Sequence, residues 1–153
     1  MKLKVAFTGT RKGMTIEQKR TLRDLLDELN IKTDVREVHH GCCVGADEEF
    51  VDIVRDVEPF MTIVAHPPRV KTHVSQRALK LSDAFREDED FVVRDKRMVE
   101  ECDVLIAAPW QDARPKSLRG QGTWTTVNHA QKPHINRPTC IIYPNGRREG
   151  ELS

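Results

Sequence analysis

The segment Gly120-Gln121-Gly122-Thr123 has the residue types that most directly imply chemistry. Two glycines and a threonine at a helix start aim several backbone N–H groups and a hydroxyl at one point, which suits a phosphate. The plainer alternative is a pair of flexible glycines ahead of Thr123 as a helix N-cap. Trp124 follows; it either stacks on a base or, the default for a helical aromatic, packs into the core.

Two further loops have similar chemistry. Thr8-Gly9-Thr10-Arg11-Lys12-Gly13 combines close backbone approach at Gly9, a hydroxyl at Thr10 and a planar guanidinium at Arg11. Read blandly, it is a turn with a solvated basic pair. In Gly41-Cys42-Cys43-Val44-Gly45-Ala46-Asp47, Gly41 and Gly45 bracket a strand-to-helix turn whose N–H groups can face an anion. Asp47 either complements the helix dipole or hydrogen-bonds a ribose hydroxyl or a neighbouring loop. Neither loop is a GxGxxG or a P-loop. Arg94 and Arg97 stand one helical turn apart and could face the same acid or ligand; otherwise, with Lys96, they form a solvated basic face. His39-His40-Gly41-Cys42-Cys43 fits no standard zinc spacing, so no metal site is expected, and His66 before Pro67-Pro68 reads as a loop residue.

These loops need elements to hold them. Strands are expected over 4–8, 35–40, 60–65, 103–108 and 139–143. Helices are expected over 15–29, 46–57, 91–102 and 123–132, with a short one over 74–81. Thr15 with Gln18 forms a capping-box signature, and Pro109 closes the fourth strand. Alternating strands and helices predict an α/β Rossmann-like three-layer sandwich with a mostly parallel central sheet. Ligands of such sheets sit beyond the carboxyl ends of the strands, where all of these loops fall. No repeat or linker divides residues 1–153, so a single domain is expected, with its core over about 3–143 and a polar tail over 144–153.

The order Gly-Thr-Arg, Gly-x-x-x-Gly-Ala-Asp, Arg-x-x-x-Met, Asp-x-Leu-Ile-Ala-x-Pro and Gly-x-Gly-Thr resembles the SLOG superfamily. That Rossmann-like group includes DprA/Smf proteins, LOG phosphoribohydrolases, molybdenum cofactor carrier proteins and YspA/YpsA-type proteins. The resemblance spans roughly residues 3–143. It implies a ligand pocket formed by Gly9, Thr10, Arg11, Gly41, Gly45, Asp47, Arg94, Pro109, Gly120, Gly122 and Thr123. Arg94 falls at the LOG arginine, but the LOG glutamate is replaced by Thr126, which neither stabilises an oxocarbenium-like centre nor activates water. Similar members carry Arg-Asn where this chain has Arg94-Asp95.

Three functions follow as expectations. The first is a sensor or carrier binding a nucleotide, a nucleotide-derived phosphate or a molybdopterin-type ligand, with no required cofactor. The second is an N-glycoside hydrolase acting on nucleoside monophosphates, with Asp47 or Asp95 as the displaced carboxylate and Arg94 beside it. The third is DprA-like binding of single-stranded DNA through Arg114, Lys116 and Arg119. A net charge of +1 and 5% aromatic residues argue against the third, because such grooves need positive charge and stacking platforms. The four cysteines, without a CxxC, read as reduced thiols of a cytoplasmic protein. No apolar run is long enough to span a membrane, and self-association is expected from the resemblance.

Overall fold

A computed structural model describes residues 2–152. Its strands are β1 (Lys2–Gly9), β2 (Asp34–His40), β3 (Thr62–Ala65), β4 (Ala84–Phe85), β5 (Val104–Ala108), β6 (Thr139–Ile142) and β7 (Arg148–Glu149). Its α-helices are α1 (Ile16–Lys32), α2 (Ala46–Val57), α3 (Gln76–Leu81), α4 (Phe91–Glu101) and α5 (Gly122–Ala130), with a 3-10 turn at Lys71–His73. The strands form one sheet in the order β4-β3-β2-β1-β5-β6-β7, all parallel except β7, which runs antiparallel to β6. This is the expected Rossmann-like sandwich.

Period-two alternation distributes the strand side chains to two apolar layers. Val5, Phe7, Ile106 and Ile142 face α1 and α2, where Phe7 stacks on Phe50 at 4.4 Å between ring centroids. Ala6, Leu105, Ala107 and Ile141 face α4 and α5 and pack with Met98, Val99, Trp124 and Val127. The α1 helix begins with the capping box read from sequence: Thr15 accepts from the Gln18 N–H while Gln18 accepts from the Thr15 N–H, both at 3.0 Å.

One irregularity sets the face of a whole strand. The β1–β2 register pairs Leu3 with Val35 but Lys4 with Glu37, so Arg36 is an extra residue. The bulge reverses the phase of β2. Val35 and Val38 both reach the α1–α2 layer, and Glu37 and His39 turn toward α4.

The expected polar tail over 144–153 is, through residue 152, more than a tail. It folds back as β7, and Leu152 joins the α1–α2 core. The polar, poorly patterned stretch 69–90 contains β4, whose two residues pair with Val64 and Ala65. Helix α5 starts at Gly122 with Gln121 as its cap residue, so Thr123 lies within the first turn and is not the N-cap.

Candidate functional site

β1 is the switch point of the sheet: β2, β3 and β4 extend to one side, and β5, β6 and β7 to the other. At such a point the loops leaving neighbouring strands diverge and open a crevice. Here the crevice is a cleft of about 610 Å³, within the roughly 300–1,000 Å³ of small-molecule sites. Its walls come from the β1 exit (Thr8 to Lys12), the β2 exit (Gly41, Cys43, Val44 and Asp47), the start of α4 (Phe91, Arg94, Asp95) and the start of α5 (Gly120 to Trp124). Hydrogen bonds join the loops: Thr10 N–H donates to the Ala108 carbonyl at 3.1 Å, and Ala46 N–H donates to the Thr10 carbonyl at 3.0 Å.

Arg94 is the centre of the cleft floor. Its guanidinium is buried; Nε donates to Asp95 Oδ1 at 2.7 Å, and Nη1 donates to the Gly41 carbonyl and, at 3.4 Å, to the His66 carbonyl. Among the described residues Nη2 has no hydrogen-bond partner. Burial opposes its charge, but Asp95, Cys43 and Asp47 outweigh this and hold Arg94 above its ordinary pKa. The reading of Arg94 and Arg97 as one face does not hold, because Arg97 turns outward to Glu89 at 3.1 Å.

Two carboxyls flank the guanidinium. Burial pushes Asp95 upward, against the pull of Arg94 and of the neighbouring Thr126 hydroxyl. Burial pushes Asp47 up to about 7, with Arg94 pulling the other way. Asp47 Oδ2 accepts from Cys43 N–H at 3.1 Å, while Oδ1 has no partner among the described residues. A buried, half-satisfied carboxyl that titrates near neutrality is suited to proton transfer. Cys43 is not a nucleophile of this site, since burial and then Asp47 push its thiol up to about 11.

Two glycines show how closely the loops pack. A methyl group on Gly41 would lie 2.9 Å from both Arg94 Nη1 and Asp47 Oδ2, so only glycine lets these groups meet there. Gly45 has φ +91° and passes so close to the Arg11 backbone that a Cβ would be 2.3 Å from its carbonyl oxygen. Gly45 therefore joins two loops and does not line the cleft. Pro109 is likewise outside the wall; its carbonyl accepts from Gln18 Nε2 at 2.7 Å and anchors the β5 exit to α1. Gly9, Thr10, Arg11, Gly41, Asp47, Arg94, Asp95, Gly120, Gly122 and Thr123 all line it.

The rim contains residues that the sequence reading passes over. Phe91 lies between two guanidiniums, with Arg94 at 5.2 Å and Arg11 at 5.8 Å from its ring centroid. Arg11 Nη1 also donates to the His73 ring at 2.6 Å. Trp110 is half-exposed, with Lys12 Nζ 3.8 Å from its ring centroid. It is the accessible aromatic here, whereas Trp124 is buried with Nε1 donating to Gln111 at 3.0 Å. An aromatic immediately after a strand was the available signal for Trp110; only tertiary packing reveals Phe91 and His73. Arg114, Lys116 and Arg119 are exposed and lie outside the cleft wall.

No protein-family model matches this chain, and no curated protein matches it in sequence. Among solved structures it is similar to the X-ray structure of TM1055, a Northeast Structural Genomics Consortium target. The TM-score is 0.60 at 19% identity, over 91% of this chain and 72% of that one. This likeness shows a shared Rossmann-like fold. Among the described residues no helix is long and apolar enough to cross a membrane.

Proposed function

We propose that the chain is a SLOG-type protein that binds a nucleotide or a nucleotide-derived phosphate in the β1–β5 cleft. The observation that carries this reading is Arg94: a buried guanidinium lining the cleft, with Nη2 lacking a protein partner. Nη2 opens on the cleft and is free to donate there, and a phosphate oxygen is the partner a guanidinium fork suits best. The neighbouring α5 N-terminus, with Gly122 and Thr123 in the cleft lining, adds N–H groups and a hydroxyl. Trp110 and Phe91 supply apolar surface for a base or a pterin-like ring.

A thermal-shift screen of nucleoside mono-, di- and triphosphates, NAD, ADP-ribose, cyclic nucleotides and molybdopterin analogues tests it. A native-state ligand must raise the melting temperature. The expected result is a shift in the wild type that Arg94→Gln loses; a blank screen rejects the reading.

Asp47 favours a second reading, hydrolysis of the N-glycosidic bond. Its unpartnered Oδ1 and near-neutral titration fit a group that activates water in place of the missing glutamate. Free base released from a nucleoside monophosphate by the wild type, and not by Asp47→Asn, supports it. Ligand returned intact makes the protein a carrier or sensor.

A further inference from the structure

Outside the cleft, three potential ligand atoms converge from three elements. They are Nδ1 of His39 on β2, Nε2 of His66 after β3, and Oε2 of Glu101 at the end of α4. The two nitrogens are 2.8 Å apart, a hydrogen bond whose proton an ion would displace, and the oxygen lies 3.6 Å from His39 and 3.5 Å from His66. Both imidazoles are buried, and none of the three residues lines the phosphate cleft.

The dimensions of this triangle match a coordination sphere. Sides of 2.8, 3.5 and 3.6 Å put the atoms on a circle of radius about 1.9 Å, so an ion slightly off their plane stands about 2.0–2.1 Å from each, the zinc–nitrogen and zinc–oxygen bond length. Mixed imidazole and carboxylate donors select a first-row transition ion over calcium or magnesium.

Outer partners are present for His39 and Glu101, whereas His66 Nδ1 has none among the described residues. His39 Nε2 lies 2.8 Å from Glu37 Oε1, so a proton there leaves the Nδ1 lone pair directed at the triangle. Carboxylate–histidine pairs of this kind orient metal-bound imidazoles. Arg86 Nε donates to Glu101 Oε1 and Oε2 at 3.2 and 3.1 Å and fixes the carboxylate from outside. The Arg36 bulge makes the arrangement possible, because it turns both Glu37 and His39 toward α4.

We infer that His39, His66 and Glu101 form a binding site for a divalent transition ion of the zinc class, clamping β2, β3 and α4 together. Glu101 is the partly exposed member of the three. The competing account is a metal-free polar network of the same residues.

Chelator-treated full-length protein titrated with Co(II), followed by visible absorption, tests the inference. Wild type is expected to saturate at one ion per chain without a thiolate-to-cobalt charge-transfer band. The four buried cysteines are competing ligands that this band reports. Because histidine variants in the interior could misfold, the decisive changes are Glu101→Gln and Glu37→Gln. Glu101→Gln should weaken Co(II) binding at least tenfold and abolish the rise in melting temperature that Zn(II) gives the wild type. Glu37→Gln should weaken binding by about 10–100-fold, as outer partners of metal ligands do. No cobalt bands in the wild type, or bands that persist unchanged in Glu101→Gln, would overturn the assignment. The readout needs no nucleotide and stands apart from the function of the cleft.

Discussion

Arg94 and Asp95 are adjacent on α4 and form a buried ion pair, Nε to Oδ1 at 2.7 Å. The helix thereby carries its own counter-ion into the cleft floor. Arg94→Gln leaves Asp95 buried without its partner and should cost about 3–5 kcal/mol of stability, together with phosphate binding. Asp95→Asn keeps an acceptor for Nε and removes one negative charge from the cleft. A unit charge roughly 5 Å away is worth about 3 kcal/mol at an effective dielectric near 20, so anion affinity should rise about tenfold or more. Urea unfolding and ligand titration of the two variants measure both effects.

Asp47 gives the cleft a pH dependence. Its folded-state pKa, raised by burial to about 7, lies above the unfolded value of 3.8. The folded chain therefore holds a proton that the unfolded chain releases. The stability this contributes is fully present below about pH 4 and is lost as pH rises through 7, by up to about 1.4 kcal/mol per pH unit. Arg94, Asp95, Glu48 and the Cys43 N–H face the group. Asp47→Asn should remove this component, so the difference in unfolding free energy between variant and wild type should grow from pH 4 to pH 7. Phosphate affinity should likewise fall through pH 7 in the wild type relative to Asp47→Asn; using one ligand in both cancels its own titration.

Gly41 and Gly45 should fail in different ways. Gly41→Ala meets two side-chain ends, which can shift; it should abolish or strongly weaken ligand binding with a modest fall in melting temperature. Gly45→Ala meets backbone at positive φ and should cost more than about 2 kcal/mol. Thermal denaturation beside ligand titration separates the two.

Trp110 contributes to recognition more than to the fold. Half of its surface is exposed, so Trp110→Ala should leave stability within about 0.5 kcal/mol. If a base or pterin stacks on the indole, that substitution weakens affinity by about 1–3 kcal/mol, whereas inorganic phosphate binding stays unchanged. Calorimetry with a nucleotide and with phosphate alone makes the comparison.

Local sequence specifies part of this architecture. The spacing of Phe50, Val51, Ile53 and Val54 defines α2 with its observed bounds, and Thr15 with Gln18 marks the start of α1. Strands of two residues such as β4 and β7 have no period to detect. The contrast between Arg94 and Arg97 is hidden for another reason: with Lys96 they read either as a solvated basic face or as two guanidiniums facing one ligand, and only the β2 exit packing on α4 shows that Arg94 turns inward and Arg97 outward. The His39–His66–Glu101 triangle joins residues far apart in sequence through a bulge that no local pattern announces.

The position of β1 at the centre of the sheet has a consequence for how the chain comes to be folded. β1 is made first, yet one of its edges waits for β5, almost a hundred residues later. Contacts of such long sequence separation form slowly. Until Val104–Ala108 docks, that edge is an open template for another chain, and the Thr10–Ala108 hydrogen bond that joins two walls of the cleft does not exist. A nascent or truncated chain ending before β5 thus lacks the pocket and leaves that edge unpaired, so occupancy of the cleft would report that the chain has folded through β5 and the start of α5.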